Sequence, residues 1–210
     1  MANFRVVFSK DDVLVYISHL DLNHTFIRAL NRAGVELKYS EGFNPHPKLV
    51  FALPLSVGMA GENELLDIGI ADESMTAEKL AEILRGTLPE HITVKEVTEA
   101  EKKLKDIKSA LYRVEISAGG IIDVLRTFLK SEITILKKTK GGEKEVSISD
   151  GIINAEVSEN EGKTVIRAEL SASPADYLNP ELILRAAKEK GIISDDTPYA
   201  VTREKILFGK

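Results

Sequence analysis

The sequence contains no cysteine and no tryptophan in 210 residues. Without a thiol the chain can form no disulfide, ligate no iron–sulfur cluster through cysteine and use no cysteine nucleophile; the lack of disulfides fits a reducing cytoplasm. Aromatic residues are only 6% of the chain, too few for a wide base-stacking platform. No apolar run approaches the ~20 residues that span a bilayer. The opening MANFRVVFSKDD lacks the basic-then-apolar pattern of a secretory signal. Phosphate-loop, dinucleotide and serine-elbow motifs are missing too.

What is present is an ordinary globular composition, 43% hydrophobic and 29% charged, with a formal net charge of −5. That acidic total argues against avid nucleic-acid binding over the whole surface. The charge is uneven, however. Residues 1–60 carry six Lys/Arg against five Asp/Glu and three of the four histidines, so an anionic partner is sought there.

β-Branched and aromatic residues over 3–17 predict a strand, a turn at Lys10-Asp11-Asp12 and a short second strand segment. A helix is predicted from about Leu20 to Ala33, with Ser18 as N-cap and Gly34 as its stop. VELKYS, LVFALPLSVGM and ELLDIGIA read as strands, with Pro54 limiting the second. A helix over 77–86, capped by Thr76 and stopped by Gly86, precedes the strand ITVKEVTEA. This order is the βαββαβ plan of a ferredoxin-like domain. After a charged linker at 100–110 the plan recurs: LYRVEIS, a helix entered through Gly119-Gly120, EITILKKT with a turn at 140–142, three more strands, a helix capped by Asn179-Pro180, and VTREKILF. The expected fold is therefore α+β, with two ferredoxin-like domains of antiparallel sheet and helices on one face, spanning 1–103 and 104–210.

Two stretches carry candidate chemistry. In the first helix Leu22, Phe26, Ala29, Leu30 and Ala33 form an apolar stripe, and His19 and Asn23 fall beside it. Ser18 and Asp21 have the spacing of a capping box. Arg28 and Arg32 lie on the outer face, where they serve either as a solvated stripe or as phosphate contacts. His19, His24 and His46 do not have the i, i+4 helical spacing of a zinc pair, so no metal is expected. The second stretch is SEGFNPHPK, residues 40–48. Gly42 permits left-handed backbone, Asn44 precedes a proline, and Pro45 and Pro47 hold His46 in a stiff extended segment. Ser40, Asn44, His46 and Lys48 can then offer hydrogen bonds and charge to a polar or anionic ligand. Phe43 either plugs the core or stacks on a ring. Glu64 and Asp67, three apart on a strand, point to opposite faces and make no carboxylate pair. His46 and His19 are the only plausible acid/base candidates in this part of the chain.

FSKDDVLVYISHLDLNHTFIRALNRAG, YSEGFNPHPKLVFALPLSVGM and ENELLDI together resemble the bacterial radical-SAM-linked family of unknown function. The matching positions include Ser18, His19, Asp21, Arg28, Arg32, Ser40, Phe43, Asn44, His46, Lys48 and Glu64; His24 stands where that family often has Arg. The resemblance implies a cytoplasmic accessory to a separate radical SAM protein, which would supply the cluster, this chain holding no cofactor itself. The resulting expectation is a binding module for RNA or another phosphate-bearing ligand. Its contact set is Ser18, His19, Asp21, Asn23, Arg28, Arg32, Ser40, Phe43, Asn44, His46, Lys48 and Glu64, with His19, Asn44 and His46 converging on a cleft. The alternatives are a metal-independent endoribonuclease-like enzyme using His46 or His19, and a protein-interaction scaffold.

Overall fold

The computed structural model describes residues 3–139, 142–173 and 176–209. The chain is α+β, with antiparallel strands and, among the described residues, four α-helices. It divides into two compact units, Met1–Asp106 and Ile107–Lys210.

The first unit runs β1 (Asn3–Lys10), α1 (His19–Arg32), β2 (Leu49–Phe51), β3 (Met59–Gly69), α2 (Ala77–Thr87) and β4 (Ile92–Glu99). Its strands lie in the order β4-β1-β3-β2, each pair antiparallel. Phe4, Val6 and Phe8 of β1, Leu66 and Ile68 of β3, Leu22, Phe26 and Leu30 of α1 and Leu80 and Leu84 of α2 share one core cluster. The helical residues recur at a spacing of four, and the strand residues at a spacing of two. Each element therefore buries one face against the same core.

Several sequence-based expectations change here. The second strand segment after Lys10 is a 3-10 turn over Asp12–Tyr16. Asp12 has a φ of +48°, which breaks the extended chain, and Leu14 N–H then donates to the Asp11 carbonyl. The strand expected from Leu49 stops at Phe51, ahead of Pro54, which has no N–H for a ladder. VELKYS makes only the isolated bridges Leu37–Ile70 and Tyr39–Pro47. Gly86 does not stop α2, which continues to Thr87. The helix ends at Leu88, extended at φ −74° and ψ 150°, because Pro89 disfavours helical backbone in the residue before it.

The second unit runs β5 (Ile107–Ile116), α3 (Ile122–Lys130), β6 (Thr134–Thr139), β7 (Gly142–Ser147), β8 (Ile152–Asn160), β9 (Lys163–Ser173), β10 (Asp176–Tyr177), α4 (Pro180–Glu189) and β11 (Tyr199–Phe208). Here β8, β9, β5 and β11 are neighbours in that order, with β10 also on β9. The hairpin β6–β7 stands outside this order. The turn expected at 140–142 lies outside the described residues at 140 and 141. Asn179 caps α4 by accepting Glu181 N–H at 3.0 Å, with Pro180 at the first helical position. In the charged stretch at 100–110, a 3-10 turn at Leu104–Asp106 leads directly into β5.

Candidate functional site

SEGFNPHPK forms the far end of a small β-hairpin. Tyr39 bridges Pro47, Ser40 N–H donates to the His46 carbonyl at 2.8 Å, and Lys48 N–H donates to the Lys38 carbonyl at 2.7 Å. Residues 40 and 46, and residues 38 and 48, therefore face each other across the hairpin, and all four side chains project to one side. Tyr39 and Pro47 project to the other. The base is tied to β3 by a ring of three bonds. Lys48 N–H donates to the Lys38 carbonyl, Lys38 N–H to the Gly69 carbonyl at 2.9 Å, and Gly69 N–H to the Lys48 carbonyl at 2.9 Å.

At the far end, Ser40 Oγ accepts the His46 backbone N–H at 3.1 Å and lies 2.9 Å from His46 Nδ1. Nδ1 also lies 3.4 Å from the Asn44 carbonyl, so this nitrogen is turned toward the hairpin's own polar groups, and the tautomer decides which of them it pairs with. Gly42 has a φ of +120°, a conformation closed to most side chains. Beyond it Phe43 is fully exposed at the apex. The core-plug reading of Phe43 is overturned. The five residues between Ser40 and His46 carry its ring out past the paired backbone instead of back beneath it.

The start of α1 behaves differently. The capping box is complete: Ser18 Oγ accepts Asp21 N–H at 3.1 Å, and the Asp21 carboxylate accepts Ser18 N–H at 3.3 Å and the Ser18 hydroxyl at 2.6 Å. The hydrogen bond from the Ser18 hydroxyl, then that from its N–H, hold the Asp21 carboxyl below its usual range. His19 packs edge-on against Phe51 of β2, with ring centroids 5.0 Å apart. Burial there lowers its pKa. Asn23 Oδ1 is buried without a hydrogen-bond partner among the described residues. Arg32 donates to the Thr87 carbonyl at 2.6 Å, closing the last turn of α2. Arg28 is exposed.

The opening turn of α1 thus meets the strand that follows the hairpin through two rings, His19 and Phe51. His46 Nδ1 lies 3.4 Å from the Asn44 carbonyl, but among the described residues no hydrogen bond or ring contact joins His19 to either, so the expected convergence of all three is not made by direct contact. Glu64 is only 4% exposed and lies over Gly61, where an added Cβ would collide with its carboxylate. It belongs to the interior of β3, on the parity of Leu66 and Ile68. Asp67 lies on the opposite face and receives two bonds from Arg5, at 2.7 and 2.8 Å. The side that Lys38 shares with His46 and Lys48 escaped the sequence reading. Strand alternation across a hairpin could have placed it there once Tyr39 was paired with Pro47. A cavity of about 780 Å³ in the second unit, between β6–β7, β10 and α4, is lined by none of these residues.

Residues 3–180 match a family described as an uncharacterised protein conserved in bacteria (DUF2344). The chain belongs to that family. The match covers the hairpin, α1 and most of the second unit. No curated protein matches. A crystal structure of an unknown protein from Galdieria sulphuraria aligns with 96% of this chain and 98% of that one, at 13% identity and a TM-score of 0.28, a similarity too low to bear on fold or function. No helix among the described residues is long and apolar enough to cross a membrane.

Proposed function

We propose that the chain is an accessory binding module that recognises RNA or another phosphate-bearing ligand through the hairpin at 38–48 and works beside a separate radical SAM enzyme. The observation that carries the reading is the fully exposed ring of Phe43, held at the apex of a braced hairpin beside an exposed imidazole. A large apolar ring in water is unfavourable unless a partner covers it, and nucleobases cover such rings by stacking. The imidazole and Lys48 add the polar part of the contact. The partnership with a radical SAM protein rests on the sequence resemblance and on the lack of any cysteine to hold a cluster in this chain.

A ferredoxin-like plan for each unit belongs to the same proposal. Supporting it are the βαββαβ order of the first unit, its strand order β4-β1-β3-β2, and the equivalent order β11-β5-β9-β8 in the second, where the β6–β7 hairpin is an insertion. An accessory role has one further support. Val13 and Tyr16 are exposed and stand three apart in a 3-10 turn, so they eclipse on one face, with exposed Leu20 following at the start of α1.

Ultraviolet crosslinking of the purified chain to RNA tests the proposal. The crosslinked peptide is expected to contain residues 38–48, and Phe43→Ala is expected to abolish it. Crosslinks confined to the second unit, or unchanged in Phe43→Ala, would reject the reading.

A further inference from the structure

The side of the hairpin that carries His46 holds two lysines face to face. Lys38 and Lys48 are cross-strand partners, and both Cβ atoms lie 3.2 Å from where a Cβ on Gly69 would sit. Their side chains therefore rise from a common base, and Gly69 leaves that base open. Like charges directly opposite each other on a ladder are destabilising. Neither lysine has an acidic partner among the described residues. The neighbouring carboxylate on this face of β3, Asp67, is already neutralised by Arg5. A paired positive charge left without a counter-charge at the base of a braced hairpin is arranged to receive an anion.

We infer that Lys38 and Lys48 form one phosphate-binding row and the exposed His46 imidazole a second, and that together they grip successive phosphates of an unpaired nucleic-acid strand whose base stacks on Phe43. The inference rests on the RNA reading above and narrows it to a single strand. The rows are two residues apart along the hairpin, roughly 7 Å, a separation bridged by consecutive phosphates of an extended strand and not by one free phosphate. The apex is a thin projection, so a flipped-out or unpaired base can cover the Phe43 ring, whereas bases stacked inside a duplex cannot. The outer arginines of α1 are not part of this grip. Arg32 is held toward α2 by its bond to the Thr87 carbonyl, and Arg28 stands on a different element.

Fluorescence anisotropy with a labelled single-stranded RNA dodecamer, measured across a salt series, tests this. Relative to the unaltered chain, Lys38→Ala/Lys48→Ala is expected to weaken binding roughly tenfold and to lower the slope of log affinity against log salt by about 1.4, the value for two contacts to a single strand. Arg28→Ala is expected to leave both unchanged, and Lys38→Arg/Lys48→Arg to restore binding. Inorganic phosphate is expected not to compete at concentrations that leave ionic strength constant. If the double alanine variant keeps its circular dichroism spectrum and binds with unchanged affinity and slope, the lysine site is wrong and the RNA reading survives. If inorganic phosphate displaces the RNA fully, the two-row strand site is wrong. If the unaltered chain binds no RNA even at low salt, both fall together.

Discussion

Ser40 Oγ lies 2.9 Å from His46 Nδ1 and also accepts the His46 backbone N–H at 3.1 Å. One hydroxyl thus orients the imidazole and closes the hairpin. Removing it in Ser40→Ala is expected to cost about 1 kcal/mol of stability and to release the ring. Urea unfolding measures the first effect. Nitrogen-15 imidazole shifts measure the second: the unaltered chain is expected to show one dominant tautomer, and Ser40→Ala a mixture. The same tautomer populations in both proteins would contradict the orienting role of Ser40.

Gly69 sits beneath the hairpin base, where an added Cβ would lie 3.2 Å from the Cβ atoms of both Lys38 and Lys48. Gly69→Ala should wedge the hairpin away from β3. Amide exchange at Lys38, Lys48 and Gly69 is expected to accelerate together, because the three amides close one ring of bonds, while exchange in the β1–β4 ladder is unchanged. Acceleration spread evenly over the unit would mean general destabilisation instead.

The capping box gives a pH dependence whose sign is fixed. The Asp21 carboxyl is below its usual range in the folded chain because the Ser18 hydroxyl and N–H donate to it. Its contribution is therefore complete above the unfolded carboxyl pKa and is lost as pH falls through the lower folded value. Ser18→Ala is expected to flatten the stability profile in this acid range and, at neutral pH, to cost about 1 kcal/mol for the missing cap. Denaturant midpoints against pH for the two proteins check both effects.

His19 shifts in the same direction for a different reason. Burial against Phe51 lowers its pKa from the ordinary 6.5, so the folded chain holds the neutral ring while the unfolded chain takes up a proton. Stability is expected to be full above pH 6.5 and to decline as pH falls below it, through the lowered folded value. His19→Phe is expected to remove that decline. Persistence of the decline in the variant would assign it to another group.

Much of the fold could be read from local patterns. α1 was legible because Ser18, Asp21, the apolar stripe and Gly34 agree on its limits, and the start of α4 because Asn179-Pro180 marks it. The breaks were harder. The turn at Lys10-Asp11-Asp12 was legible, but its continuation as a 3-10 segment over Asp12–Tyr16 was not, because Val13, Val15 and Tyr16 favour a strand. Gly86 resembled a stop, yet the helix is ended by Pro89 through Leu88. At the site, the stiffness of SEGFNPHPK was visible from its prolines. Its form as a hairpin paired with Lys38–Ser40 was not, because a single bridge between Tyr39 and Pro47 leaves no periodic signal. Arg32 shows the limit most plainly: its spacing placed it on an outer stripe, but only the packing of α1 beside α2 reveals that it holds Thr87.

The central claim is that the hairpin at 38–48 is the binding surface. Amide chemical shifts of the nitrogen-15-labelled chain, followed during titration with a short single-stranded RNA, test it most directly. The account predicts the largest changes at Lys38, Ser40, Phe43, His46 and Lys48, growing smoothly with ligand, and little change at Arg28. Saturable changes elsewhere in the chain with the hairpin amides unmoved would contradict it.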